Sequence, residues 1–428
     1  MKSSARIVLL VAIAVHVLFL ASLVDPGHFL NPLFPEGMHN LGEGQGSDFY
    51  AFYQAGRYVL DNESIYTRPM EDPDRVVPYA YFYRYLPFVA YSIGVAANAV
   101  APKVAYWIWV ALIELVLALC IVGTRGITRD ATLFAHLTAM WLMYTPFYME
   151  QYMGQLTFAT AAMSFGFAVM HLRGRALAAD GWWWASVVIK HLSVLYVPIL
   201  LRLRKYRTIA IAVLLLLVTT IPYFLLRGHG TGHFTHDNFS LNLDPYTGNM
   251  GAVAFFMVLK ERFFPLASQA FGQLGPIKLS ITRLGVGMVM GVPVVASLWV
   301  TFRRRPFDFL ESFALWTMVY FFVFREVWEY HYVLLIPVFV LLYARTRARV
   351  LWFIFALTAA PTLFILYDVP GANPSEAWEA WSAFEHVLNH GFKLIPVVWL
   401  FVWVAAGYLR RHSKLVESRM DTGVDLVF

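Results

Sequence analysis

About twelve apolar segments near the length that crosses a bilayer recur along this chain, and nothing else in it constrains the fold as strongly. They lie near 6–24, 84–100, 103–123, 130–147, 155–172, 182–201, 207–226, 281–302, 308–324, 329–344, 348–367 and 393–410. Only 14% of the 428 residues are charged and 59% are hydrophobic, whereas soluble domains carry about 25% charge. The expected fold is all-α: a polytopic transmembrane helix bundle forming one domain over 1–428, with interfacial helices in its outer loops. The lone Cys120 excludes an intrachain disulfide. The formal charge of +6 resides mostly in short loops, where it orients a bundle and does not indicate nucleic acid.

Lys2 and Arg6 precede the first segment, which lacks a small-residue cleavage site and reads as a retained helix. Cytoplasmic enrichment of basic residues puts the N-terminus, Arg202–Arg207, Arg303–Arg305, Arg345–Arg349 and Arg410–Lys414 inside. The long loops 25–83, 227–280 and 368–392 then face outward. Arg125, Arg129, Arg173 and Arg175 conflict with this, because they fall outside if every segment crosses once. Either the bias is weak there, or 182–201 is a pair of half-helices that enters and returns, a reading that Lys190 and Pro198 favour.

Ser47 or Asp48 is placed to cap a helix in the first loop. Phe49, Phe52, Tyr53, Gly56, Val59 and Leu60 follow on one face, a stripe suited to the headgroup plane, with Arg57 and Asp61 outside it. Asn373-Pro374-Ser375-Glu376 reads as another helix start, followed by the stripe Trp378, Trp381, Phe384 and Leu388 and stopped by Gly391. A further helix is expected over 251–262.

Five groups of polar residues stand out. Asp48 is either a helix cap at the interface or a functional carboxylate beside Tyr50, Tyr53, Tyr79, Tyr81, Tyr83 and Tyr85. Lys190 interrupts an apolar run at a cost of roughly 2.5–3.5 kcal/mol at a bilayer centre; it either pairs with Glu114 or Glu150 or holds a phosphate. Glu150 through Gln155 forms a polar turn between apolar segments. Arg325, Glu326, Glu329 and His331 crowd a short outer loop and the helix start after it. His229, His233, His236 and Asp237 have helical metal-ligand spacing, but the glycines between them argue against a helix, and no metal is assigned.

In this order the motifs resemble the GT-C superfamily of membrane glycosyltransferases, and most closely the polyprenyl-phosphate-mannose-dependent mannosyltransferases. The resemblance rests on Asp48 opening an aromatic helix that leads to Leu60 and Tyr66, and on Tyr83-Arg84-Tyr85-Leu86-Pro87-Phe88. Gly154-Gln155-Leu156-Thr157, Ile189-Lys190 and His331-Tyr332 complete it. Leu86 stands where the family has proline, and Thr157 where it has asparagine. The first half of the chain carries most of the likeness.

The resemblance implies an inverting transfer of a sugar, mannose above all, from a polyprenyl-phosphate donor to a lipid-linked or glycan acceptor hydroxyl. The site would face outward from the plasma membrane, and no cofactor is implied. Asp48 would be the base and His331 a second catalytic group. Lys190, Arg84 and Arg325 would hold the donor phosphate, and Gln155, Glu150, Tyr83, Tyr85 and Glu329 would line the substrate site.

A transporter or lipid flippase is the alternative outside enzymes. A transporter would show two similar halves with matching broken helices, and none is evident. An O-antigen-ligase-type transferase would carry its large loop late, whereas 25–83 comes first.

Overall fold

The computed structural model describes residues 3–24, 45–67, 83–226, 231–239, 248–264, 270–274, 277–304, 306–361 and 381–407. Tyr79, Tyr81, His229, the helix start at 373–376 with Trp378, and Arg410–Lys414 lie outside these residues. The described chain is helical except for one antiparallel hairpin, β1 (Ala270–Leu274) and β2 (Ile277–Ser280). It forms two compact units. One is built mainly from Met1–Leu142 and Phe147–Leu241, the other from Met143–Pro146 and Asn242–Val424.

The first unit contains α1 (Ser3–Val24), α2 (Ser47–Leu60), α3 (Pro87–Ala97, with a π turn at Ala90–Gly94), α4 (Pro102–Arg125) and α5 (Ala131–Leu142). These are followed by α6 (Thr145–Met153), α7 (Thr157–Leu172) and α8 (Ala176–Ile189). A 3-10 stretch, His191–Tyr196, runs into α9 (Val197–Arg202). Then come α10 (Tyr206–Leu226) and α11 (Thr231–Phe239). The last of these is helical despite Gly232, and its His233 ring lies 3.2 Å from the Tyr66 carbonyl. Among the described residues no His, Cys, Asp or Glu group has the geometry of a metal site.

Twelve spans are not what the structure supports. Four described helices are long and apolar enough to cross a membrane: α1, α4, α10 and α13 (Ile281–Arg303). A fifth span is formed if α17 (Ala383–Gly391) and α18 (Leu394–Ala405), bent by 48° at their junction, count as one. Several of the other apolar segments are broken. Pro87, Pro198 and Pro337 each open a helix just after such a break, at the position where a missing N–H leaves nothing unpaired.

Two of these breaks remove the conflict over the basic residues. The segment 84–100 does not run through the unit but lies along α2. Gly56 and Gly94 meet backbone to backbone, so a Cβ on Gly56 would fall 2.0 Å from the Gly94 carbonyl carbon. Asn98 also donates to the Tyr53 carbonyl at 2.7 Å. The segment 182–201 reverses at Lys190, whose backbone is extended (φ −148°, ψ 109°). The Trp183 indole donates to the Ser193 carbonyl at 2.8 Å, and Lys205 bonds Asp180 at 2.6 Å. A straight helix would hold residues 180 and 205 roughly 37 Å apart.

The 176–202 stretch is therefore a helical hairpin with Lys190 at its tip and both ends together. The Arg173 side chain lies against Gly126. Arg125, Arg129, Arg173, Arg175 and Arg202–Arg207 thus gather at one end of the unit. The other end holds α2, which α4 reaches through Tyr106 against Tyr50 at 6.2 Å, while Phe19 of α1 stacks on Tyr148 of α6 at 4.1 Å.

The second unit contains α12 (Ala252–Phe263), the hairpin, α13, α14 (Phe309–Val323), a 3-10 stretch Glu329–Leu335 running into α15 (Ile336–Thr346), α16 (Arg349–Ala359), α17 and α18. It has its own basic end. Arg345 bonds Asp308 at 2.7 Å, and Arg304 lies 3.5 Å from Glu311 and also bonds the Ala405 carbonyl. At the opposite end of α14 lie Arg325, Glu329 and His331.

Candidate functional site

The site in the first unit is organised by α2. Gly46, in the left-handed region at φ 83°, occupies the cap position, and no side chain caps the helix. The expected capping by Ser47 or Asp48 is absent: Ser47 is buried and reaches Met153 Sδ at 3.7 Å, and Asp48 sits inside the first turn. The expectation of a helix lying in the headgroup plane also needs correction. Phe49, Tyr50, Phe52, Tyr53, Gln54 and Tyr58 are all buried, so α2 is enclosed by protein on most sides. Arg57 and Asp61, 3.6 Å apart, mark its exposed edge.

The turn after α6 closes over the start of α2. Gly154 takes φ 72°, and a Cβ there would stand 2.5 Å from the Phe49 Cβ. Any other residue would be strained at that φ and would push α2 away. The turn delivers Gln155 between two site residues: its amide hydrogen-bonds the Asp48 carboxylate, and its Oε1 accepts from the Tyr85 hydroxyl. Asp48 is partly buried, and its Oδ2 is shut from the surface without a hydrogen-bond partner among the described residues.

Lys190 reaches the same place from the hairpin tip. Its ammonium donates to the Thr157 hydroxyl at 2.7 Å and lies 5.6 Å from the centre of the Tyr85 ring. Its charge acts on both Glu150 and Asp48, and Arg84 adds a second positive charge beside Asp48. Glu150 is fully buried; its Oε1 accepts the Phe158 N–H at 2.6 Å, and its Oε2 has no partner among the described residues.

Burial pushes the Asp48 carboxyl up from 3.8 to about 6, against the Gln155 hydrogen bond and the Lys190 and Arg84 charges, which pull it down. Burial raises Glu150 as well, opposed mainly by Lys190. A partly enclosed carboxylate poised near neutrality, with one oxygen free and two cations close by, can accept a proton while an anion is held beside it.

The structure thus brings Asp48, Gln155, Glu150, Lys190, Arg84 and Tyr85 together. The Tyr83 hydroxyl is taken up locally, donating to the Leu86 carbonyl at 2.6 Å and accepting from Ala90 N–H at 3.0 Å, which fixes the turn into α3.

Arg325, Glu329 and His331 lie in the second unit. Glu329 pairs with the fully buried Lys393 at 3.0 Å. Lys393 also donates to the Thr358 and Ala360 carbonyls, at 2.8 Å and 2.5 Å, tying off the C-terminus of α16. His331 Nδ1 accepts the Trp328 N–H at 3.0 Å, capping its own 3-10 turn. Arg325 pairs with Glu326.

Two residues of structural consequence escaped the sequence reading. Asn249 joins two segments, donating to the Arg325 carbonyl at 2.6 Å and accepting from Val327 N–H at 3.1 Å. Its position between Gly248 and Gly251, in a loop of marked polarity, was the available signal. His16 on α1 lies 3.2 Å from Glu114 on α4, and Glu114 in turn accepts from Gln151. Glu114 is therefore not the partner of Lys190.

No family model matches the chain, and no curated protein is similar to it at a significant level. Its long apolar helices are compatible with an integral membrane protein.

Proposed function

We propose that this chain is an inverting membrane glycosyltransferase that uses a polyprenyl-phosphate sugar, most simply the mannosyl donor. One observation carries this reading: a carboxylate raised to about 6 shares its surroundings with Lys190 and Arg84. Asp48 removes the proton from an acceptor hydroxyl, and the hydroxyl oxygen attacks the anomeric carbon from the face opposite the phosphate. The carbon–oxygen bond to the phosphate breaks, and the lipid phosphate leaves with the electron pair. That leaving group is an anion that needs cations and no acid, which is what Lys190 and Arg84 supply.

The acceptor is a lipid-linked or glycan hydroxyl. The site lies at the end of its unit opposite the basic loops, so the cytoplasmic preference of Arg and Lys turns it outward, on the plasma membrane. On this reading the shorter and broken helices also lie within a polytopic, GT-C-like bundle beside the four long ones.

A transporter reading draws on the broken helix at Lys190, since such breaks line carrier sites. The deciding experiment incubates the reconstituted protein with radiolabelled polyprenyl phosphomannose and membrane glycolipid acceptors. Label appearing on an acceptor supports the transferase; label crossing the bilayer unchanged supports the carrier.

A further inference from the structure

Glu150 is the one charged group of this site that the transfer chemistry leaves without a task. It sits in α6 at 0% exposure, with one oxygen satisfied by a backbone N–H and the other buried and without a partner among the described residues. The ionisable groups facing it are Lys190 at the hairpin tip, Asp48 on α2 and Tyr85 ahead of α3. Gln151 and Tyr148 on the same helix turn instead to Glu114 and His16.

In the empty site the two carboxylates offset Lys190 and Arg84. A phosphodiester brings one more negative charge into a place where unbalanced charge is costly. Lys190 cannot neutralise both Glu150 and the phosphate, and Asp48 must stay ionised to act as the base. Resting on the reading above, we infer that Glu150 takes up a proton from solvent when a phosphodiester donor settles on Lys190 and Arg84. Donor binding is then coupled to proton uptake. Three features support this assignment. Glu150 is the more deeply buried carboxyl, burial raises it further than it raises Asp48, and it lacks the side-chain amide that holds Asp48 ionised.

The sign follows from linkage. A nearby anion raises the affinity of Glu150 for its proton, so binding takes up protons between the pH at which Glu150 ionises in the empty site and the higher pH at which it ionises beside the donor. Affinity falls as pH rises through that range, by up to about tenfold per pH unit. Below it Glu150 is already protonated, and affinity is flat.

The test titrates the full chain in lipid nanodiscs with a short-chain polyprenyl phosphomannose, whose diester has no titrating proton of its own near neutrality. Calorimetry in two buffers of different ionisation enthalpy counts the protons. Wild type should take up roughly one proton per donor between those two pH values. Glu150→Gln, which can still accept the Phe158 N–H, should bind without that uptake. Binding by wild type without uptake, or uptake that persists in Glu150→Gln, would overturn the inference and leave the transferase reading standing. Failure of wild type to bind the donor at any pH would remove both. Should Glu150→Gln not fold, Glu150→Asp takes its place: it keeps a titrating carboxyl in a new position and should move the pH range of the uptake, and an unchanged range would overturn the inference.

Discussion

The Lys190 ammonium donates to the Thr157 hydroxyl at 2.7 Å, joining the tip of the helical hairpin to the first turn of α7. This is its only direct side-chain hydrogen bond among the described residues, and Glu150 and Asp48 act on it as charges at longer range. Two N–H groups of the ammonium therefore remain for a ligand.

Lys190→Met keeps the length of the side chain and removes the charge. On the proposed function the variant loses about 2–5 kcal/mol of donor affinity, the range for removing one partner of a buried charged contact. Binding of the donor to purified protein, read beside its thermal midpoint, checks this. Unchanged affinity with a lowered midpoint would make Lys190 a structural counter-charge to Glu150.

The hairpin makes a prediction about sidedness. In a Cys120→Ala background, cysteines placed at Arg129, Arg175 and Arg207 should all react with a membrane-impermeant maleimide from the same side. A cysteine at Arg57, on the exposed edge of α2, should react only from the other. Labelling of Arg175 and Arg207 from opposite sides would mean that 182–201 crosses once, contrary to the Asp180–Lys205 bond at 2.6 Å.

The pH dependence of turnover follows from Asp48. A general base acts in its ionised form, and burial has raised this one to about 6. Below about that pH the rate at low substrate should therefore fall about tenfold per unit. A rate that stays level down to pH 4 would assign the proton transfer to another group.

Much of the site was legible because its residues break local rules. Lys190 is a charge inside an apolar run, with Pro198 behind it, and both mark the break that the structure contains. Asp48, Gln155 and Tyr85 each stood at the edge of an apolar segment. What the sequence concealed depends on long-range packing. Segment 84–100 has the length and composition of a span, and only the Gly56–Gly94 approach reveals that it lies along α2. Reading it as a crossing reversed the expected sidedness of Arg125, Arg129, Arg173 and Arg175. An aspartate at the start of a helix fits the capping preference well, yet Gly46 holds the cap position and leaves the carboxylate to the site. The pairing of Glu329 with Lys393 spans 64 residues of sequence and has no local signature.

The central claim is that Asp48 is the base, and Asp48→Asn tests it most directly. The amide matches the carboxylate in size and can still bond Gln155, and no helix cap is lost because Asp48 does not cap α2. The variant should insert, purify and bind polyprenyl phosphomannose as the parent does, or more tightly once a negative charge beside the phosphate is gone. Transfer of radiolabelled sugar to the acceptor should fall by about 10²–10⁴. Near-normal transfer by a well-folded Asp48→Asn would contradict both the assignment and the mechanism.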